Sequence, residues 1–210
     1  MKLFSALVPG STVNDAMLAA IAGGLRELLA PRGENVDELV LHAMIPVSLR
    51  SDEAAGDASG NLITAFVAPL PLGETDGVER LRRIHASTKE LKEGKQALGI
   101  HMITQSTAYA PPALMAASGR MAIQQGSFMN LTITNVPGPR HELYLLGAKM
   151  LALNPMVPIG NRLTLNIAIE SYVDNLVIGL SADADANPDL DVLARGIRHS
   201  IDELLEAARA

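Results

Sequence analysis

Five histidines are the side chains of this 210-residue sequence best suited to carry protons near neutral pH: His42, His85, His101, His141 and His199. None neighbours another histidine, and none has Asp four residues on. His199 has Asp202 three residues later on a helical pattern. His85 sits among Arg82, Arg83 and Lys89 and reads as a solvated helix residue. His42 alternates with apolar strand positions and reads as buried or paired. No His, Asp and Glu grouping has the spacing of metal ligands. With no Cys, the chain has no thiol nucleophile, no Cys-ligated zinc, no iron–sulfur cluster and no disulfide framework. It has no Gly-x-Ser-x-Gly elbow and no Gly-rich phosphate loop. The sequence by itself therefore holds no complete catalytic set, and it calls for no metal or prosthetic cofactor.

Two polar segments remain. Asn14-Asp15 falls in the first turn of a helix, where backbone N–H groups are free, so either side chain has a capping role open to it. Asn135-Val136-Pro137-Gly138-Pro139 is a strand end running into a rigid turn. Pro fixes φ and Gly permits positive φ, so the loop is either structural alone or a frame that aims backbone donors at a ligand.

The elements that must position these segments follow from periodicity. Leu18, Ile21, Ala22, Leu25 and Leu28 or Leu29 recur at helical spacing after Thr12-Val13-Asn14-Asp15, which resembles a capping box, and Pro31-Arg32-Gly33 ends that helix. Residues 39–47 alternate as a strand, 51–60 read as an exposed loop, and 62–69 form an apolar strand. A second helix follows Asp76-Gly77, with Val78, Leu81, Ile84 and Leu91 on one face. Pro111-Pro112 starts a third helix. Residues 130–136 read as a strand, 143–153 as another, and 163–169 as a half-buried strand. Residues 176–180 are its hairpin partner across Asp174-Asn175. Asn187-Pro188-Asp189 starts the last helix, with Asn187 as cap and Pro188 in the first position. The order predicts a single α+β domain over 1–210, a mixed β-sheet flanked by helices.

Composition narrows the function classes. Acids number 23 against 17 Lys and Arg, with three Tyr, three Phe and no Trp. That balance gives neither the basic face nor the stacking platforms a nucleic-acid partner needs. No signal peptide and no continuous apolar span is present, so a cytoplasmic chain is expected. From Gly94 to His141 there is no Asp or Glu, and this run holds Met102, Met115, Met121 and Met129. One reading is a buried helix with flanking loops. The other is a surface facing acyl chains or lipid, with Lys95, Arg120 and Arg140 near anionic groups.

Eight segments in order carry a resemblance. The first four are Thr12-Val13-Asn14-Asp15, Met44-Ile45-Pro46-Val47-Ser48-Leu49-Arg50, Gly60-Asn61 and Glu79-Arg80-Leu81-Arg82-Arg83-Ile84-His85. Then come Ala110-Pro111-Pro112-Ala113-Leu114, Asn135-Val136-Pro137-Gly138-Pro139, Leu143-Tyr144-Leu145-Leu146-Gly147-Ala148 and Pro188-Asp189-Leu190-Asp191. Each is weak alone. Together they resemble the C-terminal half of bacterial wax ester synthase/diacylglycerol acyltransferases over nearly the whole chain.

The resemblance implies one half of a fold like chloramphenicol acetyltransferase, with a channel between two related halves. It implies transfer of a fatty acyl group from acyl-CoA, a co-substrate, to diacylglycerol or a long-chain alcohol. The family's general base is the second His of a His-His-x-x-x-Asp-Gly motif in the N-terminal half, and this sequence has no such motif. The expected partner is therefore an N-terminal half or a full-length homologue that carries it, docked on an exposed apolar face. By the same resemblance, Asn14 and Asp15 support the site from a helix start. Asn135, Pro137 and Gly138 line the channel or the CoA entrance. Arg50 either pairs with an acid or meets a phosphate. Met115 and Met121 are candidates for a lipid-facing surface, on a membrane or lipid droplet. The alternative is a stand-alone, non-catalytic module that binds acyl-CoA or lipid or docks on an enzyme. Fold analogy alone does not choose between them.

Overall fold

A computed structural model describes residues 2–48, 63–93, 129–160 and 163–210. The third helix expected from Pro111 lies outside the described residues. A short helix α1 (Lys2–Leu7) precedes the long helix α2 (Val13–Leu29). Two side-chain bonds fold α1 back on the start of α2: Ser5 Oγ donates to Ser11 O at 3.0 Å and Ser11 Oγ to Phe4 O at 3.1 Å. The expected capping box is present. Thr12 is extended at φ −105°, ψ 165°, and its hydroxyl accepts from the Asp15 N–H. The helix ends in a 3-10 turn at Ala30–Arg32, and Gly33 closes it at φ 85°.

Strands β1 (Val40–Ser48), β2 (Ile63–Pro71) and β3 (Leu131–Val136) share one sheet with β6 (Leu165–Tyr172) and β7 (Asn175–Ala182), in the order β2-β1-β3-β6-β7. The outer pairs β1/β2 and β6/β7 are antiparallel, and the inner pairs β1/β3 and β3/β6 are parallel. The sheet is thus mixed, as expected. Its inner face carries Ala43, Ile45, Phe66, Ala68, Leu131, Ile133, Ile167 and Ile169 into one core with helices α2, α3 (Gly77–Glu93) and α4 (Leu190–Ala207). Helices α2 and α4 cross backbone to backbone. A Cβ on Gly24 would stand 2.7 Å from Ile197 N, and one on Gly196 would stand 2.9 Å from Gly24 Cα.

Two family-like segments hold the fold. Arg80 is 2% exposed, and its guanidinium donates to Ala19 O and Glu74 O, both at 2.9 Å, and to Ser200 Oγ at 3.4 Å. It thereby joins α2, α3 and α4. Asp189 pairs with Arg32, tying the start of α4 to the turn after α2.

Four expectations are corrected. Residues 143–153 are not one strand: only a small hairpin forms, β4 (Tyr144–Leu145) with β5 (Ala148–Lys149), separate from the main sheet. Leu146 and Gly147, both at positive φ, make its turn, and Pro155 and Pro158 follow it. Strand β6 is buried on both faces over Leu165 to Ile169, because residues 155–158 cover its far side. There Asn166 Nδ2 donates to Pro158 O at 2.8 Å, and a Cβ on Gly179 would fall 1.9 Å from Pro155 O. The β6–β7 turn is Val173-Asp174, one residue earlier than read, since Tyr172 pairs with Asn175. The last helix starts at Leu190, with Asp189 at the cap position. Asn187 instead turns inward and donates Nδ2 to Thr164 O at 3.0 Å.

Candidate functional site

The first turn of α2 is held from two sides. Asp15 is 1% exposed, and its carboxylate collects four donors. Oδ2 accepts the Thr12 N–H at 2.8 Å and the Thr12 hydroxyl at 2.9 Å, and lies 3.1 Å from His85 Nδ1. Oδ1 accepts the Thr88 hydroxyl at 2.7 Å. Burial by itself would raise the Asp15 pKa. The bonds from the Thr12 N–H, Thr88, His85 and the Thr12 hydroxyl outweigh it and hold the carboxyl below its ordinary value of 3.8. The group is therefore an ionised anchor inside the fold.

His85 is not the solvated residue its basic neighbours suggest. It is 20% exposed, on the face of α3 that meets α2. Sequence pattern alone does not join His85 and Thr88 to Asp15. Their i, i+3 spacing on one helix face was the only signal, and it needed the buried partner to acquire meaning.

Asn14 reaches the other way from the same turn. Asn135 Nδ2 donates to Asn14 Oδ1 at 3.3 Å, joining the start of α2 to the end of β3. Both side chains are half-buried and keep donor and acceptor capacity for a polar ligand group. Pro137 is exposed, while Gly138 is half-buried and packed on the β6–β7 hairpin. Gly138 N–H donates to Ser171 Oγ at 3.2 Å, and Val173 N–H to Pro139 O at 2.9 Å. A Cβ on Gly138 would lie 2.0 Å from Ser171 O, so no other residue fits there without moving backbone. Arg140 follows, exposed. The structure thus brings Asn14, Asp15, Asn135 and Gly138 into one connected region, with Pro137 at its rim. Arg50, Met115 and Met121 lie outside the described residues.

The chain next leaves the body as an apolar arm. Tyr172, 3% exposed, clamps its root: its hydroxyl accepts the Leu143 N–H and donates to Met150 O, each at 3.0 Å. Between the two clamped ends, Leu145 is 77% and Leu146 100% exposed, and Leu151 at 83% and Met156 at 81% follow on the segment that returns over β6. Most of the large exposed apolar side chains among the described residues lie between Val136 and Ile159. Such a concentration marks an interaction surface.

Two cavities flank α2. One, of about 580 Å³, is largely apolar and lies between α1, α4 and the edge strand β7, with Met17, Ile178 and Ile201 in its walls. The other, of about 340 Å³, opens beside Asp15 and His85. No helix among the described residues is long and apolar enough to cross a membrane.

Known proteins resemble this chain over most of its length. Residues 59–205 match the WS/DGAT C-terminal domain. A probable diacylglycerol O-acyltransferase of Mycobacterium tuberculosis is 32% identical over 206 residues, covering 94% of this chain and 43% of its own length. The O-acyltransferase WSD of Acinetobacter baylyi is 36% identical over 192 residues, covering 90% and 41%. The chain thus spans less than half the length of the curated relatives it matches. The wax ester synthase/diacylglycerol acyltransferase of Marinobacter aquaeolei VT8 superposes with a TM-score of 0.71 at 25% identity, covering all of this chain and 47% of that one. The trichothecene 15-O-acetyltransferase of Fusarium sporotrichioides shares the fold at a TM-score of 0.62 and 17% identity, over 97% of this chain and 43% of that one.

Proposed function

This chain belongs to the wax ester synthase/diacylglycerol acyltransferase family, matching its C-terminal domain, and from that premise we propose that it serves as one half of an acyl-CoA-dependent O-acyltransferase. The acceptor is a diacylglycerol or a long-chain alcohol. The other half, carrying His-His-x-x-x-Asp-Gly, supplies the base.

In this reading the base removes the acceptor's hydroxyl proton as its oxygen attacks the thioester carbonyl. An ester C–O bond forms, the C–S bond breaks, and the proton passes to the departing CoA thiolate. This chain contributes one wall of the channel. Asn14 and Asn135 offer amide groups to polar substrate atoms, and the 137–139 loop sets the rim. The single observation that carries the reading is the joining of two family segments through Asn14 and Asn135, at 3.3 Å. The exposed arm supports the need for a partner half, since Leu145, Leu146 and Leu151 have nothing to cover them within the described residues. Relatives more than twice as long as the aligned region agree with that need.

The test is co-purification. The chain and an N-terminal half bearing the His motif should form a 1:1 complex that esterifies diacylglycerol from palmitoyl-CoA. A folded pair that neither associates nor turns over contradicts the reading. Association with lipid is part of the same proposal. Replacing both Met115 and Met121 with Gln should weaken binding to liposomes, and unchanged binding by the folded variant removes that part.

A further inference from the structure

Among the described histidines, His85 alone is bonded to a buried carboxylate. His42 and His141 are exposed, and His199 meets Glu27 at the surface. The Nδ1 of His85 lies 3.1 Å from Asp15 Oδ2, and its Nε2 would be 3.4 Å from a Cβ on Gly10. Thr88, one turn along α3, takes the other carboxylate oxygen at 2.7 Å. Asp15 is therefore shared between helices: Thr12 holds it from its own cap, and His85 and Thr88 hold it from α3. The adjacent residue, Asn14, faces Asn135.

We propose that His85 is a positioning residue for the acyl-transfer site: its bond to Asp15 locks the first turn of α2 and so fixes the Asn14 amide against Asn135. This rests on the reading that the two amides border the acyl channel. A first helical turn has no preceding turn to bond its N–H groups and frays readily. A capping box ties that turn only to the residue beside it in sequence, whereas His85 and Thr88 tie it to a second helix packed into the core. The cavity of about 340 Å³ beside the ring, lined by Pro9, Gly10, Lys89 and Lys92 among others, leaves space for a released side chain to move. Asp15 from α2 is the charged group bonded to the ring, and Lys89, Lys92 and Glu93 of its own helix line the same cavity.

The test uses the chain labelled with 15N-asparagine, read alone and in the mixture with the N-terminal half. His85→Ala removes the donor. His85→Asn replaces it, because an Asn Nδ2–H can occupy the place of the imidazole Nδ1–H. His85→Ala should shift the side-chain amide resonances of Asn14 and Asn135. It should also lower kcat about tenfold, with KM for acyl-CoA changing less than about twofold, as expected for misplacement and not for lost binding. His85→Asn should restore both. Thr88→Val is a milder cut at the same anchor and serves where His85→Ala does not fold. Unmoved amide resonances overturn the proposal, and so does a His85→Asn variant as defective as His85→Ala. If the wild-type mixture itself transfers no acyl group, the acyltransferase reading fails, and the resonances alone decide whether His85 sets Asn14.

Discussion

Asn14 and Asn135 stand 121 positions apart in the chain and meet through one amide hydrogen bond of 3.3 Å. That bond joins a helix start to a strand end. Behind it, Asp15 ties the same helix turn to α3 through His85 and Thr88. A three-element relay, α3 to α2 to β3, thus holds the two motifs that the family resemblance singles out.

Asp15 should make stability fall in acid. Its folded pKa is below the ordinary 3.8. The contribution is therefore fully present above the unfolded value and is lost as pH falls through the folded one. Thermal melts of wild type and Asp15→Asn between pH 2 and 6 should converge at the acid end. At pH 6, Asp15→Asn should be less stable by roughly 1–3 kcal/mol, the usual cost of weakening a buried charge-assisted network. Parallel curves would show that Asp15 is not the ionised anchor described above.

Gly138 should be irreplaceable on steric grounds. A Cβ there would meet Ser171 O at 2.0 Å, a backbone atom that cannot swing aside. Gly138→Ala should destabilise by about 1–3 kcal/mol, as overpacking does, and shift the amide resonances of the 171–173 turn. A melt within 0.5 °C of wild type would mean the loop does not pack as it does here.

Tyr172→Phe should free the arm without opening the core. It removes the hydroxyl bonded to Leu143 N–H and Met150 O and keeps the buried ring. Hydrogen exchange at Leu143 should quicken by about fivefold, as for a bond worth about 1 kcal/mol, while exchange in β6 stays slow. Uniform acceleration across the sheet would assign Tyr172 to core packing instead.

The exposed arm should be needed for pairing, not for folding. Leu145 and Leu146 are 77% and 100% exposed. Replacing both with Asp should leave the melt of the isolated chain unchanged within about 0.5 kcal/mol, the usual range for surface changes. The same pair of changes should abolish binding to the N-terminal half. Intact binding would move the interface elsewhere.

Much of this was legible in the residues. The Thr12–Asp15 cap, the alternation of β1 and the 2-residue period of β6 and β7 are local patterns, and each maps onto the observed element. What was not legible depended on partners distant in sequence. Leu143 and Leu145 have strand-like neighbours, yet the segment leaves the sheet because Tyr172 holds its root and prolines follow. Asn166 and Ala168 look like an outward strand face, but residues 155–158 cover them. His85 looked solvated because Arg82, Arg83 and Lys89 surround it in sequence, while its own helix face points at Asp15. Asn187 had the chemistry of a cap and turned inward to Thr164 instead. The meeting of Asn14 with Asn135 could not be read from either segment, since only the parallel placement of β3 brings it about.

As proposed, this chain supplies one half of an acyltransferase and the other half supplies the base. CoA release from palmitoyl-CoA, with diacylglycerol or hexadecanol as acceptor, tests it most directly through a thiol reagent to which this Cys-free chain is silent. Three samples are compared: the chain, an N-terminal half bearing the His motif, and their mixture. The account predicts acceptor-dependent release in the mixture alone, reduced when Asn14 is replaced with Ala. Release by the chain alone, or a folded, associated mixture that stays silent with both acceptors, would contradict it.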